Sequence, residues 1–264
     1  MTFTHMSGAG NTFLVADGRS AGNTLLQEMQ IQNIIAEHLR RDGAAVEGVL
    51  ILRSMMANTF EADYYNPDGS YGMMCGNGSR CIVRFAVDHG LETSEEISFR
   101  LNGAPYNAIV NNDDLISIVF PPPIEEKTYE AGELDGISQP VDYINVNSDH
   151  VVIMGLGVGT EIRPIALALR HHASFPRGVN VNLVDIRYDG VVEIATFERG
   201  VEGITGACGT GALSSAVVLW RKGLVGNNVT FIPPSGRSLS VHISHDGATI
   251  TNLTLLGDAR YDDA

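Results

Sequence analysis

The chain has 264 residues, of which 44% are apolar and 18% charged, and it contains no apolar run near the roughly 18 residues a membrane span needs. That length exceeds the usual domain of roughly 100 to 150 residues, so two domains are expected. Acidic residues outnumber Lys plus Arg by 31 to 17, and the net charge of −14 repels phosphate backbones and anionic headgroups, which excludes nucleic acid and membrane surfaces as partners.

In chain order, Phe3 to Met6 and Phe13 to Asp17 read as strands, with Gly8-Ala9-Gly10-Asn11 as the tight turn between them. Residues 24–41 have apolar positions at Leu25, Leu26, Met29, Ile31, Ile34, Ile35 and Leu39, a helical rhythm. Val49 to Leu52 is a short buried strand. Phe60 to Tyr65 is another, ended by the turn Asn66-Pro67-Asp68-Gly69-Ser70. Strands over 97–101, 105–110 and 115–119 lead to Pro121-Pro122-Pro123, and that triplet with the polar stretch up to Pro140 reads as an interdomain linker. The domains are therefore drawn at 1–120 and 121–264. The second half then runs through strands at 142–147 and 150–154, a helix at 161–170, and strands near 179–185 and 191–198, repeating the order of the first.

The repeat is clearest at Met74-Cys75-Gly76-Asn77-Gly78 and Ala207-Cys208-Gly209-Thr210-Gly211, which share Cys-Gly-x-Gly at an offset of 208 − 75 = 133 residues. Each is followed by an apolar helical run closed by glycine, at Gly90 and Gly223. A helix N-terminus favours a thiolate through aligned peptide dipoles and unpaired N–H groups, so both cysteines are expected to ionise near neutrality. The N–H groups of Gly76, Asn77, Gly209 and Thr210 are equally suited to a carboxylate. Proton removal from a carbon bearing a carboxylate builds charge on that carboxylate, which preorganised N–H donors stabilise. With one thiolate removing the proton and an opposite thiol delivering another, configuration inverts. The plain alternative makes each cysteine a small apolar filler under a helix cap. Two copies in matching contexts favour the chemistry. Cys81, inside the first helix beside Ile82 and Phe85, is expected to be core packing.

Three cysteines, an odd number, do not read as a disulfide framework, and no C-x-x-C pair suggests a metal. The start, Met1-Thr2-Phe3-Thr4-His5-Met6, has no leader pattern, so a cytoplasmic protein with reduced thiols is expected. Lys127 and Lys222 are the sole lysines, and neither sits where a pyridoxal phosphate lysine would be expected, so no cofactor is expected. His171-His172 reads as a polar helix end rather than a metal site.

Gly8-Ala9-Gly10-Asn11, the run from Asn66 through Cys81, Pro176-Arg177-Gly178-Val179-Asn180-Val181, Phe197-Glu198-Arg199-Gly200 and Ala207 to Ala212 together resemble the diaminopimelate epimerase family along nearly the whole chain. The resemblance implies an α/β (α+β) fold of two pseudosymmetric domains, each a curled, mostly antiparallel sheet or barrel around a central helix, with the active site in the cleft between them. The last strand, near Thr249 to Leu256, would pass back toward the first domain. It implies cofactor-independent epimerisation of LL-2,6-diaminoheptanedioate to the meso form by Cys75 and Cys208. Asn11, Gly76, Asn77, Gly209 and Thr210 would hold the reacting end of this small amino-acid substrate. Asn66, Asn180, Glu198 and Arg199 would hold the distal end, and His150 and Glu198 would set thiol ionisation. A homodimer is common for such folds. Where the family has Gly-Asn-Pro-His, this chain reads Asn147-Ser148-Asp149-His150, so Ser148 replaces an asparagine expected at the distal group. A racemase for another amino acid, or a non-catalytic ligand-binding homologue, are the alternatives.

Overall fold

The computed structural model describes residues 1–21, 26–42, 46–72, 74–91, 96–111, 115–159 and 161–262. Two compact units form: Met1–Val119 with Leu256–Ala264, and Phe120–Leu255.

In the first unit, β1 (Phe3–Gly8) and β2 (Asn11–Asp17) make a hairpin in register Gly8↔Asn11. Its two turn residues, Ala9 (φ 51°) and Gly10 (φ 93°), both take the positive φ that a two-residue hairpin matching the strand twist requires. Helix α1 (Glu28–Asp42) follows, then β3 (Gly48–Met56) and β4 (Thr59–Tyr65). Helix α2 (Gly76–Asp88) precedes β5 (Glu96–Leu101), β6 (Ala104–Val110) and β7 (Leu115–Phe120).

The second unit opens with β8 (Glu125–Tyr129), β9 (Val141–Asn145) and β10 (Asp149–Met154), then α3 (Arg163–Arg170), β11 (Asn180–Ile186), β12 (Val192–Glu198) and the short β13 (Gly203–Ile204). Helix α4 (Gly209–Arg221) leads to β14 (Asn228–Ile232), β15 (Leu239–Asp246), β16 (Thr249–Asp258) and the two-residue β17 (Arg260–Tyr261).

Strand pairing reveals the repeat strand for strand. From β17 through β1 to β6 the successive pairs are antiparallel, antiparallel, parallel, antiparallel, parallel and antiparallel. From β8 through β9, β10, β11, β12, β14 and β15 the same six relations recur in the same order. Thus β1 corresponds to β9, β2 to β10, β3 to β11, β4 to β12, α1 to α3 and α2 to α4. The fold is mixed α/β, mostly sheet, and the barrel alternative does not form.

Each sheet curls round one apolar helix. Helix α2 packs on β1, β2, β3 and β4, and α4 packs on β9, β10, β11 and β15. Ile82, Val83, Phe85 and Ala86 of α2, with Ala212, Leu213, Ala216 and Val217 of α4, are buried; full burial of a large apolar side chain contributes about 1.5–3 kcal/mol. Cys81 is fully buried among the α2 residues, as packing required. Ile31 of α1 meets Leu14, Val49, Ile51 and Tyr65.

Two expectations need correction. Helix α1 starts at Glu28 rather than near residue 24, and Met29 and Leu39 of the apolar rhythm are exposed; Leu25 lies outside the described residues. The polar stretch read as a linker carries β8, whose residues are exposed up to Tyr129, so backbone pairing with β9 rather than apolar alternation defines it. Tyr129, Leu134 and Ile137 then enter the core of the second unit.

Candidate active site

Cys75 and Cys208 are the N-cap residues of α2 and α4. Their backbones agree closely, with φ −115° and ψ 109° at Cys75 and φ −117° and ψ 110° at Cys208. This extended geometry turns the sulfur toward the open amides of the helix start. At Cys75 the sulfur accepts from the Gly78 N–H at 3.5 Å. At Cys208 the near neighbour is Thr210 Oγ1, at 3.6 Å.

In the first unit, Gly76 and Asn77 are the buried first residues of α2, and Asn11 is buried at the start of β2. Gly8 makes this approach possible: a Cβ there would come within 2.6 Å of the Asn77 carbonyl oxygen, so the hairpin turn lies against the helix start. Arg80, fully buried, ties the two together. Its Nη2 donates to Asn77 Oδ1 at 2.7 Å and its Nε to the Asp258 carbonyl at 3.1 Å, while Asp258 Oδ1 accepts from the Ala9 N–H at 2.8 Å. The returning C-terminal strand thereby anchors both the turn before Asn11 and the first turn of α2. Asn66 has a different place. It sits in the turn after β4, and its amide nitrogen donates to Ser70 Oγ at 3.0 Å within that same turn.

In the second unit, His150 on β10 is fully buried and its Nε2 lies 2.9 Å from Thr210 Oγ1. Asn180 is buried at the start of β11. Its Nδ2 donates to Ser148 Oγ at 3.1 Å and to the Asp149 carbonyl at 3.0 Å, and its Oδ1 accepts from the Arg199 N–H at 2.9 Å. Asn180 thus holds the 148–149 turn against the end of β12. Arg199 donates from Nη1 to the Arg177 carbonyl at 2.8 Å, with Asp149 Oδ2 3.9 Å away. Glu198, the last residue of β12, accepts from the Thr205 hydroxyl and lies close enough to Cys208 to act on its ionisation.

The electrostatics depart from expectation at Cys208. Burial pushes its thiol well above the usual range and the Glu198 carboxylate pushes it further; the Thr210 hydroxyl and the Gly211 amide oppose without cancelling this. Residue Cys208 is only half-buried overall, yet its sulfur sits in crowded surroundings. The helix start therefore does not make Cys208 a thiolate near neutrality. Burial drives His150 down to about 3, and the nearby Asp149 carboxylate opposes this only weakly, so the imidazole is neutral.

Several residues that support the site were not anticipated. Asn182 and Thr196 lie behind His150, Arg80 and Asp258 brace the first unit, and Asp149 forms a two-bond pair with Arg177 at 3.0 and 2.7 Å while accepting from the Tyr143 hydroxyl at 2.6 Å. Arg177 beside it holds the Asp149 carboxyl below its usual range. The available signal was polar residues two apart on buried strands, Asn180 and Asn182 on β11 and Thr196 and Glu198 on β12, which share one face.

Among known proteins, a sequence model described as diaminopimelate epimerase matches residues 3–120 and 143–261. The diaminopimelate epimerase of Aquifex aeolicus is 33% identical over 260 residues, covering 93% of this chain and 91% of that protein. That of Archaeoglobus fulgidus is 30% identical over 281 residues, covering 99% of each. Among solved structures, a PhzF-family phenazine biosynthesis protein of Bacillus anthracis is similar with a TM-score of 0.73 at 12% identity, covering 99% of this chain and 96% of that one. A hydroxyproline epimerase of Agrobacterium vitis, with bound trans-4-hydroxy-L-proline, has a TM-score of 0.67 at 16% identity, covering 99% and 90%. These two likenesses show a common fold.

Proposed function

We propose, from the premise that this chain belongs to the diaminopimelate epimerase family, that it inverts one α-carbon of LL-2,6-diaminoheptanedioate to give the meso form. The observation that carries the reading is the placement of Cys75 and Cys208 as N-caps of equivalent helices with nearly the same φ and ψ. No cofactor is required when two thiols serve as base and acid.

In the forward direction the Cys75 thiolate takes the α-proton, and the electron pair left on carbon delocalises into the substrate carboxylate. Helix-start N–H groups at Gly76, Asn77, Gly209 and Thr210 stabilise that charge as it grows. The Cys208 thiol, kept protonated by burial and Glu198, delivers its proton to the opposite face of the carbon. Cys75 ends as thiol and Cys208 as thiolate, and the reverse reaction exchanges their parts. Asn11 holds the reacting end alongside these amides. Arg199 supplies positive charge for the distal carboxylate, with Glu198, Asn66 and Asn180 shaping that end. The same reading takes the protein to be a cytoplasmic homodimer with reduced thiols, contributing to lysine and peptidoglycan precursor supply.

Ser148 favours one second reading. Its hydroxyl accepts the Asn180 amide where the family pattern offers an asparagine side chain, so distal recognition is altered and a racemase of another amino acid is the alternative. Chiral chromatography of reactions with LL-diaminopimelate and with single-centre amino acids decides between them. Conversion of diaminopimelate alone supports the first reading; turnover of a single-centre amino acid with diaminopimelate untouched replaces it.

A further inference from the structure

The two halves repeat in backbone but not in what lies under each cysteine. Register makes the comparison residue by residue. On the paired strands Phe13 lies opposite Gly48, Val15 opposite Leu50 and Leu50 opposite Tyr64. In the second unit His150 lies opposite Asn180, Val152 opposite Asn182 and Asn182 opposite Thr196. His150, Asn182 and Thr196 therefore occupy the places of Phe13, Leu50 and Tyr64. The second glycine of each motif faces these residues. A Cβ on Gly78 would meet Phe13 at 3.2 Å and Leu50 at 3.4 Å, whereas one on Gly211 would collide with Asn182 Oδ1 and with Thr196 Oγ1 at 2.8 Å. An apolar underlay in one unit is a hydrogen-bonded chain in the other.

The direction of each bond in that chain follows from what each group can do. The Val151 carbonyl only accepts, so the atom 2.8 Å from it is the amide nitrogen of Asn182, and Asn182 Oδ1 accepts from the Thr196 hydroxyl at 2.8 Å. The second Nδ2 proton points at His150 Nδ1, 3.1 Å away, which must therefore carry a lone pair. A buried neutral imidazole then holds its proton on Nε2 and donates it to Thr210 Oγ1 at 2.9 Å. Thr210 keeps its own proton for the Cys208 sulfur at 3.6 Å. Asn180 does not compete for Nε2, since its two amide protons go to Ser148 and Asp149.

We propose that Asn182, braced by Thr196, is a positioning residue that locks His150 as the Nε2–H tautomer, so that Thr210 presents its hydroxyl proton to Cys208. Only one half of the repeat has this device. It makes the two thiols unequal partners and steadies Cys208 when it becomes the thiolate after delivering its proton. The catalytic meaning rests on the reading of Cys208 as an acid and base; the tautomer lock itself does not.

The test is ¹⁵N NMR of histidine-labelled protein at neutral pH, with the His150 signals identified by comparison with His150→Gln. The expected spectrum has an unprotonated Nδ1 and a protonated Nε2. Asn182→Leu, which copies Leu50, is expected to release the lock, giving a tautomer mixture, and to lower kcat about tenfold with KM little changed, the size of effect that losing one hydrogen bond to a charged group produces. Should that variant fail to fold, Thr196→Val loosens the same amide and is read in the same way. A protonated Nδ1 in the wild type, or an unchanged tautomer and kcat in a folded Asn182→Leu protein, overturns the proposal. The expected tautomer in a protein that exchanges no α-proton leaves the lock standing and defeats the functional reading instead.

Discussion

Lowering the pH from 7 to 5 strips stability from this protein at His150, before most carboxylates titrate. The imidazole is neutral when folded, with its ionisation pushed down to about 3, whereas in the unfolded chain it titrates near the usual ~6.5. A group depressed in this way contributes stability that is complete above ~6.5 and declines as the pH falls toward the folded value. Between 6.5 and 5 the decline is ~1.4 kcal/mol per pH unit, or about 2 kcal/mol in total. Any folded value below about 4 gives nearly the same loss, so the result does not depend on the depth of the shift beyond that. Urea unfolding at pH 7 and pH 5, for the wild type and for His150→Gln, measures it. The wild type should lose about 2 kcal/mol more than the variant over this interval. Equal losses would mean that folded His150 takes up its proton as readily as the unfolded chain does, which contradicts its burial-driven shift.

Alkylation by iodoacetamide, followed residue by residue with peptide mass spectrometry, should find Cys208 slow at pH 7 and accelerating only as the pH climbs above the ordinary thiol range, because burial and Glu198 favour its protonated form. A Cys208 that reacts rapidly at pH 7 would contradict that state. Glu198→Gln removes the nearby charge and should bring the onset of Cys208 alkylation to lower pH. Gly211→Ala should destabilise the protein by roughly 2 kcal/mol or more in urea and abolish turnover, since its methyl collides with the Asn182–Thr196 pair; a variant with wild-type stability and kcat would show that the pair does not need that space.

Both cysteines and their helices were legible because Cys-Gly-x-Gly is followed in each half by a run rich in apolar residues, interrupted only by Ser79, Arg80 and Arg84 in α2 and by Ser214 and Ser215 in α4. The alternation of parallel and antiparallel pairs was not, since it depends on which strand the crossovers through α1, α2, α3 and α4 return to. β8 escaped notice because four of its five residues face solvent, so nothing in Glu125-Glu126-Lys127-Thr128 alternates. β14 and β15, also unanticipated, do show period-two burial at Val229 and Phe231 and at Leu239, Val241 and Ile243. Similar motifs implied similar thiols, and here sequence reasoning failed for a physical reason. Ionisation at Cys208 is governed first by burial and then by Glu198, ten residues earlier on β12, neither of which the Cys-Gly-Thr-Gly tetrad carries. Asn66 and Asn180 stand in turns and at strand starts, where an amide bonds its own backbone neighbourhood; their hydrogen bonds to Ser70, Ser148 and Asp149 follow that tendency.

The most direct test of the two-thiol account is deuterium incorporation at the α-carbon of LL-diaminopimelate in D₂O, followed by NMR with reduced wild type and with Cys75→Ala and Cys208→Ala. The account predicts exchange accompanied by meso product in the wild type and loss of meso product in both variants. Meso product still formed by either single variant at the wild-type rate would contradict it.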